Sequence, residues 1–416
     1  MNMATEHLGF TDDPGRLAAH RNMGSSANRF SLATYSLIAV NVLTFIVMLS
    51  YKTYVIGAFN TPISGNFDTQ QLLNFGANYG PYTIGGQYWR LVSSLFLHQD
   101  AVYLAWNLAF LWGLGSTIER LFGRLTTLSV YLLSGVGASV VAIQVHPTLT
   151  SQGASGAVAG MAGLTIAALP GAKNCLTPIR RLLALGLVVL VVVEIVALSL
   201  RPLDGIDNAT HIAGFLIGVA VGVSTRSVLS ASPMKRHFRW WSCIGSVAAT
   251  IAVTFGVIVH MRVDLTELRK GQIALDGNNP AAAVPHLQKF VFANPRDAIG
   301  HSELGYAYTH LNRLEDAANE YRSVLEVDPK NVSAQYDLAR VYTINHPDQA
   351  IPLYRASLPR LPQKSDYLYN FATALKKAGN LDEAESVASQ ALALDPDSGF
   401  KKQLYIEIEA EKRQKQ

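Results

Sequence analysis

The chain has 416 residues, enough for two or three domains, and its 49% apolar residues and net charge of +4 are ordinary as averages. Those averages conceal a division, because residues 1–263 carry sixteen Lys and Arg against nine Asp and Glu, while residues 264–416 carry eighteen against twenty-one. The sparsely charged, apolar first part excludes a wholly water-soluble protein, and the lack of a basic patch interleaved with aromatics excludes nucleic-acid binding.

Residues 1–29 contain Glu6, Asp12, Asp13 and Pro14 without an apolar core, so they read neither as a signal peptide nor as a transit peptide. The uncharged stretch between Arg29 and Lys52 predicts a first membrane span, since about 20 apolar residues cross a bilayer. A second is expected from about residue 91 to 118, interrupted by His98 and Asp100 near its start. Residues 125–172 are uncharged but too long for one span, and the His146-Pro147 and Gly153 region divides them into two. Stretches at 182–200, 208–225 and 240–261 bring the expectation to seven. Cys175 and Cys243 have no metal-ligand spacing and read as free thiols; no metal or cofactor is expected.

Lys and Arg positions set the expected orientation. With the N-terminus cytosolic, the inner segments hold twelve of them (Arg120, Arg124, Lys173, Arg180, Arg181 and Arg226 among these) and the outer segments four, namely Lys52, Arg90, Arg201 and Arg262. An odd number of spans then places the C-terminal region outside the membrane, and the chain reads as a multi-pass protein of a bacterial plasma membrane.

Polar groups inside spans are costly and each needs a reason. With this orientation Ser155 opens the fourth span and His211 the sixth, while His98, Tyr103 and Asn107 fall in the first half of the second. All five share the outer half of the bilayer. Ser155 sits in Gly153-Ala154-Ser155-Gly156, followed by Gly160 and Gly163, and His211 is followed by Gly214, Gly218 and Gly222. Small residues about four apart on facing helices let backbones approach closely. Close approach is what a serine hydroxyl needs to meet an imidazole base. Asn107 and the Ser155 N–H are candidate oxyanion donors. Taken singly, the Gly-x-Ser-Gly run reads as helix packing, the histidine as a packing residue and Asn107 as interhelical glue; the shared depth gives the set its weight. Glu194, in the fifth span, either lines a water cavity or is a carboxyl bonded to a neighbouring helix.

Gly86-Gln87-Tyr88-Trp89-Arg90, Phe96-Leu97-His98 with Asn107, Glu119-Arg120 with Gly123, Gly153-Ala154-Ser155-Gly156, and His211-Ile212-Ala213-Gly214 with Gly218 occur in that order. In these stretches the chain resembles the rhomboid family of intramembrane serine proteases over roughly residues 30–230. The resemblance implies a six-helix bundle, here with a seventh helix, and a Ser–His dyad that hydrolyses membrane-anchored proteins near their outer end. It makes Ser155 the nucleophile and His211 the base. Asn107 joins the oxyanion hole, and His98, Gly153, Gly156 and Gly214 support the site. Trp89 and Arg90 match a first-loop motif, and Glu119 and Arg120 a structural one. There are two departures. Tyr103 stands where many members have a second oxyanion-hole histidine and is kept as a member, and Ala159 stands where some have an aromatic stacked on the catalytic histidine.

Pro295, Pro329, Pro362 and Pro396 recur at intervals of 34, 33 and 34 residues, each preceded by two helical patterns with small residues at the crossings. Gly305 pairs with Ala317, Ala339 with Ala350 and Ala372 with Ala384. These helix pairs resemble tetratricopeptide repeats, which implies a solenoid with a concave protein- or peptide-binding surface, capped by a charged helix near 401–412. The expected fold is therefore all-α: a cytosolic segment at 1–29, a rhomboid-like membrane domain at 30–230, a seventh helix at 231–263 and repeats at 264–416. The function expected is an intramembrane serine endopeptidase, with a catalytically inactive membrane-protein-binding scaffold as the alternative. The partners expected are membrane-anchored protein substrates, the lipid bilayer and a protein bound by the repeats.

Overall fold

The structure, a computed structural model, describes residues 31–55, 65–170, 176–200, 208–226, 233–361 and 365–415. The expectations for residues 1–29, Lys173, Cys175, Arg201 and Pro362 lie outside the described residues. Two compact units divide the chain, Met1–Met261 and Arg262–Gln416. Every regular element among the described residues is a helix, with one isolated antiparallel bridge between Asn78 and Ser151.

In the first unit, α1 (Leu32–Ser50) runs on into a π-helical turn at Tyr51–Val55. Three short helices follow: α2 (Thr69–Phe75), α3 (Gly80–Ile84) and α4 (Arg90–Ser93). The remainder is α5 (Ala101–Phe122), α6 (Arg124–Val145), α7 (Ser155–Ala168), α8 (Pro178–Leu200), α9 (Asn208–Arg226) and α10 (Pro233–Met261). Leu32–Tyr54, Ala101–Phe122, Arg124–Val145 and Trp240–Met261 are long and apolar enough to cross a membrane, and Ser155–Ala168 and Asn208–Ser224 are apolar but shorter. The chain is a multi-pass membrane protein. Fourteen residues of α7 rise about 21 Å, well short of a hydrocarbon core of about 30 Å.

One expected element needs correction. The second span does not run unbroken from residue 91, because Asp100 accepts the Tyr103 N–H at 2.8 Å as an N-cap and starts α5 at Ala101. Leu97 is extended, so His98 precedes the helix instead of lying within it. Apolarity alone cannot show this break, since the residues on both sides are equally greasy.

The core of this unit runs through α5, α6 and α7, where Leu111, Leu114, Ile118, Tyr131, Met161 and Leu164 are fully buried. Glu119, buried near the end of α5, caps α1 from the side. Its Oε1 accepts the Ala33 N–H at 3.0 Å, and its Oε2 accepts the Thr34 N–H and hydroxyl, both at 2.9 Å. A carboxylate there meets donors that have no intrahelical partner and faces the positive end of the helix dipole. Glu119→Ala should cost about 3 kcal/mol, visible as a lowered unfolding midpoint in detergent, with Glu119→Gln losing less. An unchanged midpoint in Glu119→Ala would remove this role.

The second unit stacks helix pairs: α11 (Asp264–Asp276) with α12 (Pro280–Ala293), α13 (Ala298–His310) with α14 (Leu314–Val327), α15 (Val332–Asn345) with α16 (Pro347–Ser357), and α17 (Ser365–Lys377) with α18 (Leu381–Leu394). A final helix, α19 (Gly399–Lys415), closes the series. Proline disfavours helical backbone in the residue before it. Asn294 (φ −132°), Asp328 (φ −132°) and Asp395 (φ −146°) accordingly end the second helix of a pair one residue before Pro295, Pro329 and Pro396. The small residues at the crossings are sealed: a Cβ on Gly305 would stand 2.9 Å from the Tyr321 ring, and Ala317, Ala339, Ala350, Ala372 and Ala384 are fully buried. The last helix shields the core with Leu404 and Ile408, while Lys401 pairs with Asp366 and Asp395.

Candidate active site

The site lies where α7 meets α5 and α9, and the sequence dictates how closely they meet. α7 packs more extensively against α9 than against any other element. A Cβ on Gly214 would overlap the Gly156 carbonyl, one on Gly218 the Gly160 carbonyl, and one on Gly163 the Phe215 carbonyl. The seam is thus backbone against backbone, the arrangement expected of small residues at four-residue spacing. It carries Ser155, at the first turn of α7, and His211, at the first turn of α9, to one cavity.

Asn107, Trp106 and Phe110 of α5, Val158 and Ala159 of α7, and Val191, Glu194 and Ile195 of α8 line the same cavity. His211 is buried, and neither ring nitrogen has a hydrogen-bond partner among the described residues. The Ser155 hydroxyl instead accepts a hydrogen bond from the Tyr103 phenol at 2.9 Å. A Ser155–His211 hydrogen bond, expected from the sequence, is therefore open in this state; such bonds often close only around substrate. Asn107 is buried and its amide donates to the Tyr103 carbonyl at 2.9 Å. The buried His98 ring lies 5.6 Å from the Tyr103 ring.

Gly153 explains how a bulky phenol reaches the serine. Its φ of +109° is a conformation that L side chains avoid, and a Cβ there would stand 2.9 Å from the Tyr103 hydroxyl. Gly156 is needed for space on the other face, where a Cβ would stand 2.7 Å from that of Ala138.

The loop that presents Ser155 is held from both sides by bonds the sequence did not reveal. Asn78 and Ser151 exchange backbone bonds at 2.9 and 2.8 Å, Gly80 N–H donates to the Pro147 carbonyl at 3.0 Å, and Gly153 N–H donates to the Ser94 carbonyl at 2.9 Å. The Asn78 amide adds a bond to the Ser139 carbonyl of α6. Arg90 braces the segment leading to Asn78: buried, it donates to the Leu73 and Ala77 carbonyls at 2.7 and 2.9 Å, and its guanidinium lies over the Tyr82 and Trp89 rings. Arg90 was legible as a motif residue, but Asn78, a polar residue far from any motif, gave no signal.

Residues 85–227 match the rhomboid domain family, and residues 268–331, 311–365 and 342–399 match tetratricopeptide repeats. The chain carries a rhomboid domain followed by tetratricopeptide repeats. Rhomboid protease GluP of Bacillus subtilis (strain 168) is 31% identical over 189 residues, which is 44% of this chain and 33% of that one. Rhomboid protease AarA of Providencia stuartii is 28% identical over 225 residues, 49% of this chain and 79% of its own length. The match thus spans a third of GluP and about four-fifths of AarA. MamA 41-end from Desulfovibrio magneticus RS-1 is similar at 20% identity and a TM-score of 0.35, over 36% of this chain and 85% of that one.

Within the rhomboid domain, the family-pattern departures have visible consequences. Tyr103 touches the serine oxygen directly, a contact that the spacing of the two residues gave no means to foresee. Ala159 lines the cavity with His211, with no aromatic ring at that position. Among the residues singled out in the sequence, Ser155, His211, Asn107 and Glu194 share the cavity, Tyr103 touches Ser155, and the His98 ring lies beside that of Tyr103.

Proposed function

We propose that the protein is an intramembrane serine endopeptidase in which Ser155 is the nucleophile and His211 the general base. The observation that carries this reading is the shared cavity of Ser155, His211 and Asn107, built on a glycine seam between α7 and α9. In the reaction, Ser155 Oγ attacks the scissile carbonyl carbon and its proton passes to a ring nitrogen of His211. The carbonyl oxygen takes up negative charge as the tetrahedral intermediate forms. Donors for it are the N–H groups of the first turn of α7, which have no intrahelical acceptor, and the Asn107 amide. His211 then protonates the leaving amine, the C–N bond breaks, and water removes the acyl group from Ser155 by the reverse route.

Tyr103 has a place in this scheme. Its phenol holds Ser155 Oγ at rest and, when the oxygen becomes bonded to carbon, is free to turn toward the neighbouring oxyanion. Tyr103→Phe should lower kcat about tenfold with little change in KM, since the bond matters most as charge develops. An unchanged kcat would take the phenol out of the chemistry.

Substrates on this reading are single-span membrane proteins cut near their outer face. With the N-terminus cytosolic, the short α7 starts below the outer surface, placing Ser155 within reach of water and of the end of a substrate span. The membrane is the bacterial plasma membrane, and the repeats lie outside it and bind a protein partner. Protease added to intact cells should then trim the repeats; full protection would overturn this orientation. The reading itself is tested with the purified full chain in lipid vesicles and a model single-span substrate. The wild type should cleave it and Ser155→Ala should not.

One observation favours a second reading, a scaffold that binds membrane proteins without cutting them: Tyr103, not His211, holds the Ser155 oxygen. The same assay separates the two, because a scaffold would bind the substrate and leave it intact.

A further inference from the structure

Glu194 has no place in the chemistry above, yet it lines the same cavity as Ser155 and His211. It is half-buried on α8, and the cavity wall it shares holds the apolar Phe110, Val158, Val191 and Ile195 beside the polar Asn107, Ser155 and His211. Its hydrogen bond among the described residues comes from the Trp106 indole N–H to Oε2, at 3.3 Å. That is longer than the usual 2.9–3.0 Å for this donor and acceptor, roughly, and it occupies one oxygen of two. Joining α5 and α8 through Trp106 uses one of its oxygens and leaves the other without a protein donor among the described residues. A half-buried carboxyl oxygen of this kind at a cavity gains from a donor that a ligand brings.

We propose that Glu194 is a specificity-determining residue, whose free oxygen accepts a hydrogen bond from a donor side chain of the substrate, such as Lys or Gln, close to the scissile bond. This rests on the protease reading above and adds the substrate class. A site built to bond a donor discriminates strongly against the substrate that lacks one, because the site's own polar group is then buried unpaired. The preferred substrate therefore carries a lysine or a primary amide among the residues flanking the cut, at a depth where most spans carry only apolar side chains.

The test uses the full chain in lipid vesicles and a panel of model single-span substrates. One position at a time, three on either side of the scissile bond, is made Lys, Gln or Leu. Within the wild type, one position should show Lys and Gln substrates cleaved with a kcat/KM roughly ten- to a hundredfold above the Leu substrate. In Glu194→Leu that ratio should collapse to about twofold. A merely structural role would lower all substrates together and leave the ratio unmoved. Glu194→Gln, an isostere that still accepts from Trp106, guards against misfolding: its amide oxygen should keep the Gln substrate above Leu, while the Lys substrate loses the carboxylate that balances its charge. No preferred position in the wild type, or a preference that survives in Glu194→Leu, would overturn the inference. Cleavage of the Leu substrate that depends on Ser155 keeps the protease reading standing in either case, whereas no cleavage of any panel member sinks both.

Discussion

Ser155→Ala, His211→Ala and the double variant should each lower kcat/KM for a single-span substrate by about four to six orders of magnitude, and by similar amounts. The near-equality is the informative part. A nucleophile and its base act as one unit, so removing the second after the first costs almost nothing further. If His211 merely packed against α7, its loss would show in stability and the double variant would fall well below either single one. The buried, unpartnered ring of His211 makes this distinction sharp, because its replacement by alanine breaks no hydrogen bond among the described residues. The unfolding midpoint of His211→Ala should accordingly lie close to that of the wild type, while Ser155→Ala also gives up the bond from the Tyr103 phenol.

Gly218→Val should also be damaging, though less so, by a different route. Gly218 touches neither Ser155 nor His211, but a Cβ there would overlap the Gly160 carbonyl, which is backbone and cannot rotate away. The helices must separate, carrying His211 away from Ser155. A misplacement of about 1 Å is enough to cost about a hundredfold in rate. The strain also falls on a well-packed core, so the unfolding midpoint should drop, by an amount corresponding to about 1–3 kcal/mol. Gly245→Val on α10 supplies the control, since a Cβ there meets nothing within 4 Å. It should leave both rate and midpoint where they are, and equal losses in the two variants would show that the seam has no special part in the site.

This seam is also where the sequence was most informative. Glycines at 156, 160 and 163 and at 214, 218 and 222 announced that two helices meet backbone to backbone, because spacing by about four residues puts them on one face of each helix. The repeats were legible for a similar reason: a period of 33 or 34 residues fixes both the prolines that end helices and the small residues where helices cross. Less legible was anything decided by a single hydrogen bond between distant segments. Asp100 breaks the apolar run at 91–118, but an aspartate near the start of such a run looks the same whether it caps a helix or lies inside one. The Tyr103–Ser155 bond joins residues 52 positions apart and depends on Gly153 adopting a positive φ, neither of which leaves a periodic trace. Glu194 was read as either a cavity residue or a carboxyl bonded to a neighbouring helix. The structure gives it both roles, with one oxygen on the Trp106 indole and a place in the cavity wall.

Covalent trapping asks whether Ser155 is a nucleophile activated by His211. The full chain in lipid vesicles would be treated with a serine-reactive fluorophosphonate, digested, and the modified peptide identified by mass spectrometry. One phosphonyl adduct is expected, on Ser155, absent in Ser155→Ala and formed far more slowly in His211→Ala. Labelling of another residue in place of Ser155, or labelling of Ser155 at an undiminished rate in His211→Ala, would contradict it.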